Sequence, residues 1–197
     1  MRCTAVVLAG GASRRMGSDK KLLRLGGRSF LELVLEAAAE AGDEVLVAVA
    51  TREQAREVAE RCEVEVVLDS HPGAGPAMAM LSAAGVAKHE CLLSMPVDCP
   101  LIKPQVYRLL VHELGASAEH GACLPEAMGR VQPLHGAYRR DALRGVQRVR
   151  SMYRLAELLN PLVVPESTVR TADPELESFL NVNTPRDYRM LVERCLV

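Results

Sequence analysis

Four short apolar runs punctuate the first half of the chain, and each is followed by a segment of helical character. They are TAVVLA (4–9), EVLVAVA (44–50), VEVVLD (64–69) and CLLSMPVD (91–98). Strands apolar on both faces that alternate with helices belong to a parallel sheet, because each parallel connection needs a crossover and the crossover helix covers a face. The alternation therefore predicts an α/β class with a mostly parallel sheet and helices on both faces.

Local signals place the helices. Ser29 with Glu32, and Thr51 with Gln54, have capping-box spacing and open helices over FLELVLEAAAEAG, stopped by Gly42, and REQAREVAERC. SHPGAGP (70–76) is a turn-rich loop leading into a helix over AMAMLSAAGVAKH, and QVYRLLVHEL is helical. Residues 121–140 read as two strands around a loop at Pro125 to Arg130, with Pro133 weakening a central-strand assignment. Helical segments follow near 140–159, then a short strand LVVP, a strand SFLNVN, and a final helix with Thr184 at N-cap, Pro185 at N1 and Asp187 at N3. No repeat or linker interrupts the 197 residues, which read as a single domain over 1–197.

Composition narrows the partners. A formal net charge of −1 argues against a nucleic acid backbone or an anionic membrane as the main partner, so any phosphate site must be local. Trp is absent and other aromatics are scarce, which removes the stacking platforms of single-strand binders. No apolar stretch is long enough for a membrane span, and MRCTAVVLAGG lacks a signal-peptide layout, so a cytoplasmic protein is expected. The six cysteines, Cys3, Cys62, Cys91, Cys99, Cys123 and Cys195, have no zinc or dithiol spacing and read as small buried residues.

In an open parallel sheet, ligands collect at the carboxyl ends of the strands. After the first strand comes VVLAGGASRRMGSDKKLL (6–23): two glycines allow close approach of a phosphate, while Arg15 and Lys20 can offset its charge. The spacing matches neither G-x-x-x-x-G-K-[ST] nor G-x-G-x-x-G. Asp98 ends the fourth strand before Cys99 and Pro100, a placement suited to one or two carboxylate contacts with Mg²⁺, or simply to a turn cap. Asp69 either hydrogen-bonds a nucleoside or forms an Asx-turn. Asn181 and Asn183, two apart on an expected strand, share one face and serve either as orienting groups or as strand-end hydrogen bonders. His71 and His135 read as surface loop residues without a catalytic role.

LAGGASRRMGSDK resembles the nucleotidyltransferase signature L-A-G-G-x-S-x-R-M-G-x-D-K. Together with HPGAGP, DCPLI, QPLHGAYRR and FLNVNTPRDY, it makes the chain similar to molybdenum cofactor guanylyltransferases from residue 4 to about 190. The resemblance implies a Rossmann-like three-layer nucleotidyltransferase fold, GTP and Mg²⁺ as ligands, and transfer of GMP to the terminal phosphate of molybdopterin with release of pyrophosphate. It places Leu8, Ala9, Gly10, Gly11 and Lys20 at the GTP, Asp69 at the nucleoside, Asp98 at Mg²⁺, and Arg15, Lys20, Asn181 and Asn183 near the reacting groups. It further implies a nucleotide-binding N-terminal part, an acceptor-binding C-terminal third, and other proteins of molybdenum cofactor biosynthesis as partners.

The family's usual G-P-L-x-G is GPAMA here, with Ala77 and Ala79 replacing Leu and Gly, and Thr51 stands at a nucleotide-side position where relatives often carry Asn. These departures touch base recognition and spare the phosphate and metal positions. Three other readings stand beside this one: a guanylyltransferase acting on adenosylcobinamide phosphate, a molybdenum cofactor cytidylyltransferase, and a nucleotide-binding module without chemistry. GPAMAM and DCPLI favour the molybdenum reading over the first, AGG and NVNTP over the second, and retention of Lys20 and Asp98 over the third.

Overall fold

The computed structural model describes residues 1–11 and 20–195. The elements run β1 (Cys3–Leu8), a 3₁₀ turn (Lys20–Leu22), the hairpin strands β2 (Arg24–Leu25) and β3 (Arg28–Ser29), α1 (Phe30–Ala41), β4 (Glu44–Val49), α2 (Arg52–Ala59), β5 (Glu65–Leu68), α3 (Pro76–Val86), β6 (Cys91–Pro96) and α4 (Pro104–Ala116). They continue as β7 (Ala122–Ala127), β8 (Arg130–Val131), β9 (Ala137–Arg139), α5 (Arg140–Arg144), α6 (Met152–Leu158), β10 (Pro161–Val164), α7 (Glu166–Ala172), a second 3₁₀ turn (Glu177–Phe179) and α8 (Pro185–Cys195).

The main sheet has the order β10-β7-β9-β6-β1-β4-β5, with β8 pairing β7. The pairs β1–β4, β1–β6, β4–β5 and β7–β10 are parallel, whereas β9 runs antiparallel to both β6 and β7. The expected class holds: an α/β, three-layer, mostly parallel sheet with helices on both faces. Period-two alternation sorts the side chains. Cys3, Ala5 and Val7 of β1 pack with Val34 of α1 and Leu110 of α4, while Val6 packs on the opposite face with Met80 of α3 and Leu155 of α6. A smaller cluster of Phe30, Val182 and Leu191 attaches α8 to the start of α1.

Both capping boxes form: Ser29 Oγ accepts from the Glu32 N–H at 3.2 Å, and Thr51 Oγ1 accepts from the Gln54 N–H at 3.2 Å. The last helix is capped as its sequence predicts, with Asp187 N–H donating to Thr184 Oγ1 at 3.2 Å.

Other expectations need correction. SFLNVN is not a strand: Ser178 N–H donates to the Asp173 carboxylate at 2.8 Å, Ser178 Oγ accepts from Lys103 N–H at 2.9 Å, and Val182 N–H donates to the Asp98 carbonyl at 2.9 Å. These partners hold a 3₁₀ turn and an irregular segment, so Asn181 and Asn183 share no strand face. Between 121 and 140 the break falls later than expected, because Met128 and Gly129 carry the positive φ of the turn and β7 runs through Pro125. Pro133 lies between β8 and β9 and costs no ladder bond. The hairpin β2–β3 turns on Gly26 and Gly27, both at positive φ. Helix α7 is absent from the sequence reading because ESTVRTA is rich in weak helix formers. An Arg170–Glu166 pair at 2.8 Å supports it locally.

The cysteines divide: Cys3, Cys91, Cys99 and Cys123 are buried, Cys62 is half-buried and Cys195 is exposed. His135 is buried rather than a surface residue. Its Nδ1 lies 3.0 Å from the Tyr107 hydroxyl, which is also 3.1 Å from the Ser94 carbonyl. That carbonyl can only accept, so the tyrosine proton goes to it and Nδ1–H donates to the tyrosine oxygen.

Burial pushes the His135 pKa down to about 3. The unfolded chain binds this proton near pH ~6.5, so the neutral imidazole's contribution is complete above that pH and is lost as pH falls toward the folded value. His135→Gln should remove this term. Urea unfolding between pH 6 and pH 4 should then show an acid-side slope shallower than wild type by up to about 1.4 kcal/mol per pH unit; equal slopes would contradict a buried neutral histidine.

Candidate nucleotide site

Counting only the long parallel strands, the chain order β1, β4, β5, β6 becomes β6-β1-β4-β5 in space, so the direction of winding reverses between β1 and β6. Crossovers then leave on opposite faces and open a crevice at the carboxyl edge. A pocket of about 440 Å³ occupies that edge. Hydrogen bonding beyond the strand ends keeps its rim in register: Ala9 N–H donates to Ala48 O at 2.9 Å, Asp69 N–H to Val49 O at 2.8 Å and Val97 N–H to Leu8 O at 3.2 Å.

The expected residues converge there in large part. Leu8, Ala9, Gly10, Gly11, Lys20, Asp69 and Asp98 line the pocket. Lys20 Nζ donates to Asp98 Oδ2 at 3.0 Å and to Asn183 Oδ1 at 2.5 Å, which brings Asn183 to the mouth. Asn181 is exposed and makes no side-chain hydrogen bond among the described residues. Thr51 is not part of the lining; its hydroxyl caps α2 and its neighbour Ala50 faces the pocket instead. Arg15 lies outside the described residues.

The two glycines of the opening loop differ in what they do. A Cβ on Gly10 would stand 2.8 Å from the Ala50 backbone nitrogen, so this residue is fixed by the approach of the chain after β4. Among the described residues a Cβ on Gly11 would meet nothing within 4 Å, and Gly11 lines the pocket. Across the crevice, Gly75 has φ +98 and Pro76 occupies the first turn of α3, a conformation that admits the tight entry of the chain into that helix.

Asp69 both forms an Asx-turn and faces the ligand space. Its Oδ1 accepts from His71 N–H at 2.9 Å and lies 3.5 Å from Ser82 Oγ, while Oδ2 accepts no hydrogen bond among the described residues. Ser82 is itself held by donation to Met78 O at 2.9 Å. The acid is thus oriented from behind with one oxygen left over.

At Asp98, the neighbouring Cys99 thiol is pushed well above its ordinary pKa, first by burial and then by the carboxylate itself, so it stays protonated. Its Sγ is 3.9 Å from Oδ1, a weak contact that leaves this oxygen accessible. Among the described residues no group of three or more His, Cys, Asp or Glu forms a metal cage. A divalent cation here would have one carboxylate, with phosphate and water oxygens completing the shell. That donor set fits Mg²⁺.

Three wall residues lie outside the expected set. Pro96 ends β6, Val97 follows it, and Leu134 arrives from the loop between β8 and β9. Only the antiparallel insertion of β9 beside β6 brings Leu134 to this edge, and nothing local in QPLHG encodes that register. Ala79 lines the pocket, whereas Ala77 is fully buried in the core beneath it. One departure from G-P-L-x-G therefore faces the ligand and the other is a packing change. No helix among the described residues is long and apolar enough to cross a membrane.

The fold and its strand-edge crevice are those of a nucleotidyltransferase family, as the family match shows. The MobA-like NTP transferase domain matches residues 5–169, and the chain belongs to that family. A protein of Methanothermobacter thermautotrophicus described as "Probable molybdenum cofactor guanylyltransferase" is 30% identical over 195 residues, covering 95% of this chain and 98% of its own. A protein of Pelotomaculum thermopropionicum with the same description is 31% identical over 194 residues, covering 95% of this chain and 90% of its own. The crystal structure of molybdopterin-guanine dinucleotide biosynthesis protein A from Archaeoglobus fulgidus superposes with a TM-score of 0.83, at 29% identity and 98% coverage of both chains.

The glycine asymmetry is testable. Gly10→Ala should lose about 1–3 kcal/mol of unfolding free energy, because the Ala50 backbone must retreat. Gly11→Ala should stay within about 0.5 kcal/mol of wild type. Equal costs in urea unfolding would show that the first glycine is not set by this approach.

Proposed function

We propose that the chain transfers GMP from GTP to the terminal phosphate of a molybdopterin-type acceptor, releasing pyrophosphate with Mg²⁺ in attendance. The observation that carries this reading is the bridge from Lys20 to Asp98 and Asn183 at the mouth of the pocket. It sets an ammonium, a carboxylate and an amide at one strand edge. The names of the full-length relatives point to the same donor and acceptor.

The chemistry follows from these groups. An acceptor phosphate oxygen, already ionised near neutral pH, forms a bond to the α-phosphorus of GTP. The bond from that phosphorus to the bridging oxygen breaks, and pyrophosphate leaves with the electron pair. No side-chain nucleophile or dedicated base is needed, so positioning and charge neutralisation supply the rate.

Leu8 to Gly11 present the backbone edge to the nucleotide, Lys20 neutralises phosphate charge, and Asp69 offers its remaining carboxylate oxygen to the nucleoside. Asp98 would hold the cation, whose positive charge supplies electrostatic stabilisation of the triphosphate. Asn183 orients Lys20, and Asn181 stands on the exposed side of the same segment for the acceptor. For Arg15, which lies outside the described residues, the family resemblance alone implies a part in the reaction, and Thr51 supports the base side through the N-terminus of α2. The acceptor enters over the C-terminal third, from which Leu134 and Asn183 reach the mouth, and the reading carries with it a cytoplasmic location. Ala79 sets the floor where the base lies, so selectivity among bases is decided there.

Pyrophosphate release should be measured with GTP, CTP and ATP, each with a molybdopterin or a cobinamide phosphate acceptor. Release confined to GTP with the pterin is expected; another pairing would move the chain to a different substrate, and none would leave a binding module. Asp98→Ala should lower turnover by at least about 10²-fold with an unchanged melting midpoint, and near-normal turnover would overturn its assignment.

A further inference from the structure

Lysines are almost never fully buried without a partner, and the one that follows Lys20 is buried. Lys21 is 1% exposed, and its Nζ lies 2.8 Å from Glu57 Oε2 on α2, a side chain 39% exposed. Its ammonium holds the Glu57 carboxyl below the usual carboxylate range. An ion pair of this kind is poor evidence for stability, since removing the charge from water offsets much of the attraction. Its value lies in where it holds the chain.

Lys20 and Lys21 share a peptide bond but reach different parts of the fold. Lys20 reaches Asp98 and Asn183 across the mouth of the pocket, while Lys21 reaches α2, the helix that begins just after Ala50 of the pocket wall. The turn between them is closed by Leu23 N–H donating to Lys20 O at 3.2 Å, and it is tied to α1 by Phe30 N–H donating to Leu23 O at 2.8 Å. Rotation of this turn would swing the Lys20 ammonium away from Asp98. The pair to Glu57 anchors the same turn to α2 and opposes that rotation.

We infer that Lys21 and Glu57 are positioning residues, which fix the 3₁₀ turn so that the Lys20 ammonium stands at the phosphate end of the nucleotide pocket. The inference rests on the reading of Lys20 as a phosphate-binding group. Neither residue touches substrate; each acts through the placement of its neighbour. A misplacement of about 1 Å at a reacting centre can cost on the order of 10²-fold in rate, so the effect belongs in turnover rather than in substrate affinity alone.

Steady-state pyrophosphate release from GTP with Mg²⁺ and a molybdopterin acceptor would be compared in wild type, Lys20→Ala, Lys21→Met, Lys21→Arg, Glu57→Gln and the charge-swapped pair Lys21→Glu with Glu57→Lys, with melting midpoints recorded for each. Lys21→Met and Glu57→Gln should each lower kcat by about tenfold or more, with KM for GTP within about threefold and midpoints within a few degrees of wild type. Lys21→Arg should keep most of the activity, and the swapped pair should recover part of the loss. If Lys21→Met fails to fold, Glu57→Gln at the half-exposed end of the pair carries the test. Wild-type kcat in Glu57→Gln, with Lys20→Ala inactive, would overturn the inference; full activity in Lys20→Ala would instead overturn the reading of the site on which it rests.

Discussion

One ammonium group ties together three parts of the chain that are far apart in sequence. Lys20 Nζ is hydrogen-bonded to a residue 78 positions away and to another 163 positions away. Each partner is itself held by backbone geometry. Asp98 follows β6, and its carbonyl accepts the Val182 N–H at 2.9 Å, which lays the C-terminal segment against the strand end. Asn183 is held by its own N–H, which donates to the Asp187 carboxylate at 3.0 Å; this bond, ahead of the two with Thr184, keeps the Asp187 carboxyl below its ordinary range. The cap of α8 and the mouth of the pocket are therefore one structure: what starts the last helix also places the amide that orients the lysine.

The sheet supplies the rest of the constraint. Reversal of winding between β1 and β6 creates the crevice, and the two faces of β1 are covered by different helices, so the strand ends cannot shift without disturbing both layers. Gly10 shows how tight that edge is, because the space a Cβ would need is already taken by the backbone after β4. The strand end that bears the nucleotide-side residues is therefore built on a floor fixed by the neighbouring strand.

The sequence conveyed the first half of this architecture well because its signals are local. Continuous apolar runs mark buried parallel strands, and two capping boxes mark helix starts whatever the tertiary context. Strand-end residues at 8–11, 69 and 98 could be placed at one edge by the rule that parallel strands share a direction. The second half was legible only in part, since its elements depend on long-range partners. SFLNVN has strand composition, yet carboxylate and hydroxyl groups of Asp173 and Ser178 claim or supply the bonds that a ladder would have used. The burial of His135 and the arrival of Leu134 both follow from β9 entering antiparallel beside β6, a register that no window of sequence around them encodes. Nothing in the local sequence separates Lys21 from Lys20, and its burial against α2 is visible only in the fold.

The long reach of the Lys20 bridge also has a meaning for the order of assembly. Its contact with Asn183 closes a loop of 163 positions, whereas the apolar packing of β1 with β4 needs closure over only about a quarter of that span. Loop-closure entropy grows with span, and contacts of high sequence separation are costly to form early. The walls of the crevice close over intermediate spans, with β1 paired to β6 from Cys3 to Cys91, so the charge network at the mouth is the part of the site with the largest entropic cost of closure.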